Sequence, residues 1–286
     1  MTFVARTERG EAEARLLAEA ASEDAQLSWP TVARSEIAPG RWSVEVYFPA
    51  PPEESERMAL DRLAGSAGAF AITHLPDIDW VAKSLEGLAP VHAGRFVVYG
   101  AHDRDQPRRN DIAVEIEAGE AFGTGHHGTT AGCLREIDRL GKIRRFRRPL
   151  DVGTGSGVLA IAMAKLWHVP VLATDIDPVA VRVARGNARL NGTPQVRAAV
   201  AGGLGRRVVR DAAPFDLIVA NILAGPLQAM ARSVERVLAG DGVVVLSGLL
   251  PEQRARIVAA YRTVGLVLLR ASELDGWLTL TFGRKI

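Results

Sequence analysis

LDVGTGSGVLAIAMAKL, residues 150–166, runs an apolar strand into glycines at alternate positions, Gly153, Gly155 and Gly157. A helical stretch free of Gly and Pro follows at once. Strand, tight turn and helix in immediate succession open a mostly parallel α/β sheet with helices on both faces. Glycine lets the backbone turn sharply and approach a ligand with no side chain in the way. The helix start behind it presents free backbone N–H groups. Ligands in such sheets bind beyond the carboxyl ends of the strands, so this loop marks a site.

Downstream the same rhythm continues. PVLATD (170–175), QVRAAV (195–200), DLIVAN (216–221) and GVVVLSG (242–248) read as apolar strands. PVAVRVARGNARLNG (178–192) carries helical periodicity, and a further helix is expected at 251–262. VGLVLLRASEL (264–274) and GWLTLTF (276–282) read as two last strands, a terminal pair suited to an antiparallel edge.

Upstream the pattern differs. FVAR (3–6), LSWPTVARSEI (27–37), RWSVEVYF (41–48) and GAFAITHL (68–75) read as strands. ERGEAEARLLAEAA (8–21) and PEESERMALDRLA (52–64) read as helices, the second with Pro and acids at its start. Strand-helix-strand-strand-helix-strand is the order of a ferredoxin-like α+β sandwich. The expected organisation is a small domain at 1–75, a linker at 76–95 that is helical up to Gly87, and an α/β domain at 96–286. FVVYG (96–100) and DIAVEIEA (111–118) are strands that precede the main sheet.

The 286 residues suffice for two domains, and a composition 48% hydrophobic and 24% charged is that of a soluble globular protein. A net charge of +2 neither demands nor excludes a nucleic-acid partner. Basic residues cluster in KIRRFRR (142–148) and GRRVVR (205–210), both expected as solvated loop. The single cysteine, Cys133, excludes an intramolecular disulfide and a thiolate metal cluster, as expected of a reducing cytoplasm. No apolar run is long enough for a membrane span, and the N-terminus lacks the order of a signal peptide.

Three strand ends converge on one site. A dinucleotide loop would place its third glycine at position 158, but that residue is Val158, so the spacing is G-x-G-x-G. Asp151 sits in the strand just before the turn. Asp175, at the end of the second strand, can accept hydrogen bonds from both hydroxyls of a ribose. Asp177, before Pro178, suits a helix cap instead. Ile176 is placed to pack on an adenine face or in the core. Asn221 closes the fourth strand at the same edge and offers a carboxamide.

The glycine spacing with Asp151 resembles motif I of the class I S-adenosylmethionine-dependent methyltransferases. Amino-group methyltransferases commonly carry Asn-Pro-Pro-Tyr where this chain has Asn221-Ile222-Leu223-Ala224. The amide is kept and the stacking aromatic is absent. AFGTGHHGTT, LDVGTGSGVLAIA, DIDPVAV and VANILAGPL together resemble the methyltransferases of ribosomal protein L-eleven (L11), the PrmA family, closely over 76–286 and in layout only over 1–75. That resemblance implies a Rossmann-like domain with a mostly parallel seven-stranded sheet. It implies S-adenosyl-L-methionine as cofactor and the lysine and N-terminal amines of that ribosomal protein as acceptors. The ferredoxin-like domain would recognise the substrate on a flexible linker. By motif, Thr130, Gly153, Asp175 and Asn221 are implied cofactor contacts, joined by Asp151, Gly155 and Ile176. Asn221 and Phe122 are the implied catalytic pair, and Phe122 and Gly123 lie in a loop closing over the methionine end. A cytoplasmic monomer with at most weak rRNA contact and no membrane association is the corresponding expectation.

The loop in question, GEAFGTGHHGTT (119–130), departs from the family's G-T-G-T-H-x-T-T at His126 and Gly128, and Gly119-Glu120 replaces the usual Pro-Gly. The adjacent His126 and His127 suggest a metal, but neighbours on extended chain point opposite ways and no further ligands complete a shell. No metal is expected, and the stretch reads as a glycine-hinged lid. Methylation of rRNA bases or of a protein glutamine is the alternative chemistry, and missing Pro-Pro-Tyr speaks against it. A non-catalytic ribosome-associated module is the non-enzyme alternative, and intact Gly153, Gly155, Asp175 and Asn221 speak against that.

Overall fold

The computed structural model describes residues 2–24, 26–27, 31–38, 40–48, 50–65, 69–75, 90–116 and 127–284. The chain divides into two compact units, Met1–Trp80 and Val81–Ile286.

The first unit runs β1 (Thr2–Arg9), α1 (Glu11–Glu23), β2 (Thr31–Ala38), β3 (Arg41–Phe48), α2 (Glu54–Ala64) and β4 (Ala71–Leu75). Its sheet has the order β2-β3-β1-β4, every pair antiparallel. Ala5, Val44, Val46 and Phe48 on one sheet face meet Ala14, Leu17 and Ala21 of α1 and Ala59, Leu60 and Ala64 of α2. The α1 positions recur at spacings of three and four, and in α2 Leu60 and Ala64 are four apart with Ala59 beside them, so each helix buries one stripe. Glu53 and Glu56 close a capping box at the start of α2, where Pro and acids were expected. This is the ferredoxin-like sandwich that the order of elements predicts.

The second unit begins with β5 (Val91–Ala93), β6 (Phe96–Tyr99) and β7 (Ile112–Glu115). Strand β5 takes the last residues of the stretch expected as linker, turning at Gly94 to pair antiparallel with β6. The expected helix ending at Gly87 lies outside the described residues. Next comes α3 (His127–Ile143), then β8 (Pro149–Val152), α4 (Val158–Trp167), β9 (Val171–Asp175), α5 (Pro178–Leu190) and β10 (Val196–Val200). The chain continues through α6 (Arg207–Arg210), β11 (Phe215–Asn221), α7 (Ala224–Ala229), α8 (Ala231–Val237), β12 (Leu238–Leu249), α9 (Arg254–Thr263), β13 (Leu266–Leu274) and β14 (Trp277–Arg284).

The main sheet is seven-stranded, in the order β10-β9-β8-β11-β12-β14-β13. Strands β10 to β12 run parallel, and β14 and β13 form the expected antiparallel edge. Alternation along β11 explains the two layers. Leu217 and Val219 join a core under α3, α4 and α5, whereas Ile218 and Ala220 join one under α7, α8 and α9. Helix α4 is buried almost all round, matching its unbroken apolar sequence. From β8 the chain winds outward to β9 on one side, and β11 lies on the other. In open sheets of this kind, ligands bind at such a reversal, beyond the carboxyl ends of the strands.

The basic run 142–148 leaves α3 at Ile143 and continues as the largely exposed loop expected, but it is also tied down. Arg144 pairs with Asp241, Arg145 donates to the Trp167 carbonyl at 2.6 Å, and Arg148 donates to the Ala212 carbonyl at 2.6 Å. The backbone N–H groups of Arg147 and Arg148 bind the Asp216 carboxylate at 2.6 and 2.9 Å. The run clasps the entry edge of the sheet, and its partners are distant in sequence. Among the described residues no helix is long and apolar enough to cross a membrane.

Candidate functional site

The glycine turn is held by its own backbone and by its neighbours. Gly153, Gly155 and Gly157 all have positive φ, at 68°, 52° and 85°. A side chain in that region is strained, so the alternation of glycines is a backbone requirement. The N–H groups of Gly153 and Thr154 both donate to the Thr174 carbonyl, at 2.8 and 2.9 Å. Asn187 Nδ2 donates to the Ser156 carbonyl at 2.9 Å, tying the turn to α5. A Cβ on Gly157 would lie 3.1 Å from Ala184, so that glycine also lets helix and turn meet.

Asp175 ends β9 facing the turn. Its Oδ2 accepts from Gly155 N–H at 2.9 Å and its Oδ1 from Asp177 N–H at 3.0 Å. Each oxygen keeps a second lone-pair direction for a ligand hydroxyl. Asp177 caps α5 through Val179 N–H at 2.8 Å, the job that the sequence gives it. Ile176 is 73% exposed, so its apolar side chain is not core packing.

Asp151 lies beneath the turn with no exposure at all. Its Oδ2 accepts from Thr154 Oγ1 at 2.6 Å and Ala160 N–H at 3.2 Å, while Oδ1 has no partner among the described residues. Burial pushes the carboxyl up to about 7; the bonds from Thr154 and Ala160 oppose that, and the charge of Asp175 adds to it. Since the folded value exceeds the ordinary 3.8, the folded state holds this proton more tightly than the unfolded chain. The associated stability is complete below the unfolded value and is lost as pH rises through about 7. Asp151→Asn is neutral throughout. Its unfolding free energy from urea titration is expected to fall less than that of the wild type between about pH 5 and about pH 8, with a gap of a few kcal/mol at most. Parallel decline of the two proteins would remove Asp151 as the cause.

Asn221 ends β11 on the opposite side of β8. Its Nδ2 donates to Thr129 Oγ1 at 3.3 Å and Thr130 Oγ1 at 3.4 Å. Both threonines are buried in the first turn of α3. His127–Thr130 is therefore helix, which corrects the reading of 119–130 as one continuous lid. His126, Phe122 and Gly123 lie outside the described residues. Cys133 is buried, with its thiol pushed up chiefly by burial. Among the described residues no group of three or more His, Cys, Asp or Glu is placed to hold a metal.

Ile222 and Gly248, which the sequence reading passes over, join the three strand ends. A Cβ on Gly153 would lie 2.3 Å from Ile222 Cγ2, and a Cβ on Gly248 would lie 2.5 Å from the Ile222 carbonyl oxygen. Residue 222 is thus held between the turn after β8 and the end of β12. The only local hint is the glycine at the end of GVVVLSG. The site therefore presents a bare backbone turn, a carboxylate with free lone pairs, an exposed apolar side chain and a fixed carboxamide along one crevice.

Residues 8–285 match the family described as Ribosomal protein L11 methyltransferase (PrmA). The chain is 56% identical over 207 residues to the ribosomal protein L11 methyltransferase of Allorhizobium ampelinum, covering 72% of this chain and 71% of that one. It is 53% identical over 243 residues to the protein of that name from Sinorhizobium fredii, covering 84% of each. Among solved structures it resembles the ribosomal protein L11 methylase of Lactobacillus delbrueckii subsp. bulgaricus. The TM-score is 0.64 at 30% identity, over 70% of this chain and 100% of that one.

Proposed function

The chain belongs to the ribosomal protein L11 methyltransferase (PrmA) family, and on that premise we propose that it transfers methyl groups from S-adenosyl-L-methionine to lysine side-chain and N-terminal amino groups of ribosomal protein L11. The observation that carries this reading is the pairing of Asp175 with the glycine turn, opposite Asn221, across the crevice beside β8.

The residues fit the cofactor. Backbone at Gly153 and Gly155 can lie against it, because neither position tolerates a side chain. Asp175 has lone pairs left for two ribose hydroxyls, and Ile176 offers an unburied apolar face for adenine. The orphaned Oδ1 of Asp151 adds a buried acceptor beneath the turn. Thr130 and the lid residues Phe122 and Gly123 complete the proposed set. Once bound, the cofactor supplies an electrophilic methyl on a sulfonium.

The chain's own task is alignment, and orientation alone can supply about 7–11 kcal/mol of a barrier. A lysine amine, with an ordinary pKa near about 10.4, attacks only when neutral. The carboxamide oxygen of Asn221 accepts an N–H of the neutral amine and so aims its lone pair. Being uncharged, it does not favour the ammonium form as a carboxylate would. No aromatic follows Asn221 to stack on a flat base, which favours an aliphatic amine.

Residues 1–75 serve in this reading as the substrate-recognition domain, 76–95 as the linker and 96–286 as the catalytic domain, acting as a monomer in the cytoplasm. A weak rRNA contact belongs to the same reading.

The test is to incubate the full chain with S-adenosyl-L-methionine and purified ribosomal protein L11, then map modified peptides by mass spectrometry. Stepwise gains of one methylene on lysine and N-terminal peptides are expected. Gains confined to glutamine, or to rRNA offered in parallel, would overturn the assignment.

A further inference from the structure

We propose that Thr129 is a positioning residue for methyl transfer, holding the Asn221 carboxamide with its oxygen toward the acceptor amine. The inference rests on the proposed methyl-transfer role of Asn221 and deepens it.

A carboxamide has two ends of opposite hydrogen-bonding character. Only the oxygen can accept an N–H of a neutral amine. With the amide turned over, its NH₂ would compete for the lone pair that must meet the methyl. Orientation therefore matters at Asn221, whose Nδ2 faces two threonine hydroxyls, each serving there as an acceptor. Nδ2 donates to Thr129 Oγ1 at 3.3 Å and to Thr130 Oγ1 at 3.4 Å. Oδ1 takes no hydrogen bond from the described residues and remains available.

Thr129 is itself anchored. Its carbonyl lies 3.3 Å from Ser247 Oγ, which also lies 3.1 Å from the Leu278 carbonyl and 3.3 Å from Thr279 Oγ1. Ser247 is wholly buried at the end of β12. The helix turn carrying Thr129 is pressed against β14 and the turn before it. A Cβ on Gly128 would lie 2.6 Å from Trp277, and one on Gly132 would lie 2.4 Å from Thr279 Oγ1. The hydroxyl is thus presented from a turn with little room to shift, as precise orientation requires. Thr130 has a proposed cofactor contact; among the described residues the Thr129 hydroxyl meets only Asn221.

Thr129→Val keeps the shape and removes the hydroxyl, while Thr129→Ser keeps the hydroxyl. Steady-state methylation of ribosomal protein L11 by the full-length enzyme is expected to show kcat reduced roughly tenfold in T129V, the size of one lost neutral hydrogen bond. KM for both substrates and affinity for S-adenosylhomocysteine should stay within about twofold, and T129S should lie within about threefold of wild type. In an N221A background, T129V should cost nothing further, because the two side chains act as one unit. Wild-type kcat in T129V, or an equal loss in the N221A background, overturns the inference. So does a loss of cofactor affinity matching the loss of rate. N221A separates the two levels. If N221A is slow and T129V is not, only the role of Thr129 falls; if N221A is itself normal, the reading of Asn221 falls and takes this inference with it.

Discussion

Asn221→Ala is expected to lower kcat for methylation of ribosomal protein L11 by about 10²–10³-fold, the loss seen when one preorganised polar group is removed from a reacting centre. That range corresponds to roughly 3–4 kcal/mol of transition-state stabilisation. The reason lies in the position of Asn221 at the end of β11, between the glycine turn and the α3 threonines. Without the carboxamide an amine can still enter the crevice, but nothing fixes the direction of its lone pair. Cofactor affinity should fall less than kcat, because Asp175 and the turn remain. The fold should lose only about 1 kcal/mol, from two buried threonine hydroxyls left short of a partner. Asn221→Asp should behave differently. Its charge favours the ammonium form of the acceptor, so the pH profile of kcat should shift upward. Single-turnover methylation across pH, with isothermal titration of S-adenosylhomocysteine, separates these effects. An N221A rate within a few-fold of wild type would exclude the role.

The signals that were legible in the sequence are local ones. The glycine turn, its flanking strand and α4 announce themselves because backbone conformation and apolar periodicity are written within a few residues. Asp175 and Asn221 follow once each is seen to close an apolar strand, since parallel strands share one ligand-binding edge. What stayed hidden depends on distant partners. GTGHHGTT reads as loop because it is rich in glycine, yet Gly128 and Gly132 serve a helix that Trp277 and Thr279 approach too closely for any side chain. Packing there outweighs poor helix propensity. The basic run 144–148 is exposed as its composition suggests, but its anchoring by Asp216 and Asp241 cannot be read locally, because the sheet brings those partners from far along the chain. Thr129 reads as the twin of Thr130, and since Asn221 reaches both hydroxyls, it is the contact of the Thr129 carbonyl with Ser247 that sets it apart.

Gly248→Ala should be the most damaging single methyl added to the site. Gly248 has φ of 81°, where a side chain costs about 1–2 kcal/mol before any contact is considered. Its Cβ would then meet the Ile222 carbonyl oxygen at 2.5 Å, the carbonyl carbon at 3.0 Å and the nitrogen at 3.2 Å. All three are backbone atoms, so no rotamer change relieves the clash. Strand β12 is poorly placed to yield, because Ser247 and Leu249 on either side are wholly buried. Residue 222 must move instead, and Asn221 is bonded to it. A displacement of about 1 Å at a reacting group can cost on the order of 10²-fold in rate. We therefore expect G248A to lose about 2–4 kcal/mol of stability and up to about 10²-fold in kcat. Gly153→Ala offers the control. There the close atom is only Ile222 Cγ2, so Ile222→Leu, which has no such atom, should partly relieve G153A and leave G248A unrelieved. Urea unfolding of the two single and two double variants, read beside their kcat values, decides the matter. Equal relief of both glycine variants by I222L would show that the side chain of residue 222, rather than its backbone, carries the strain.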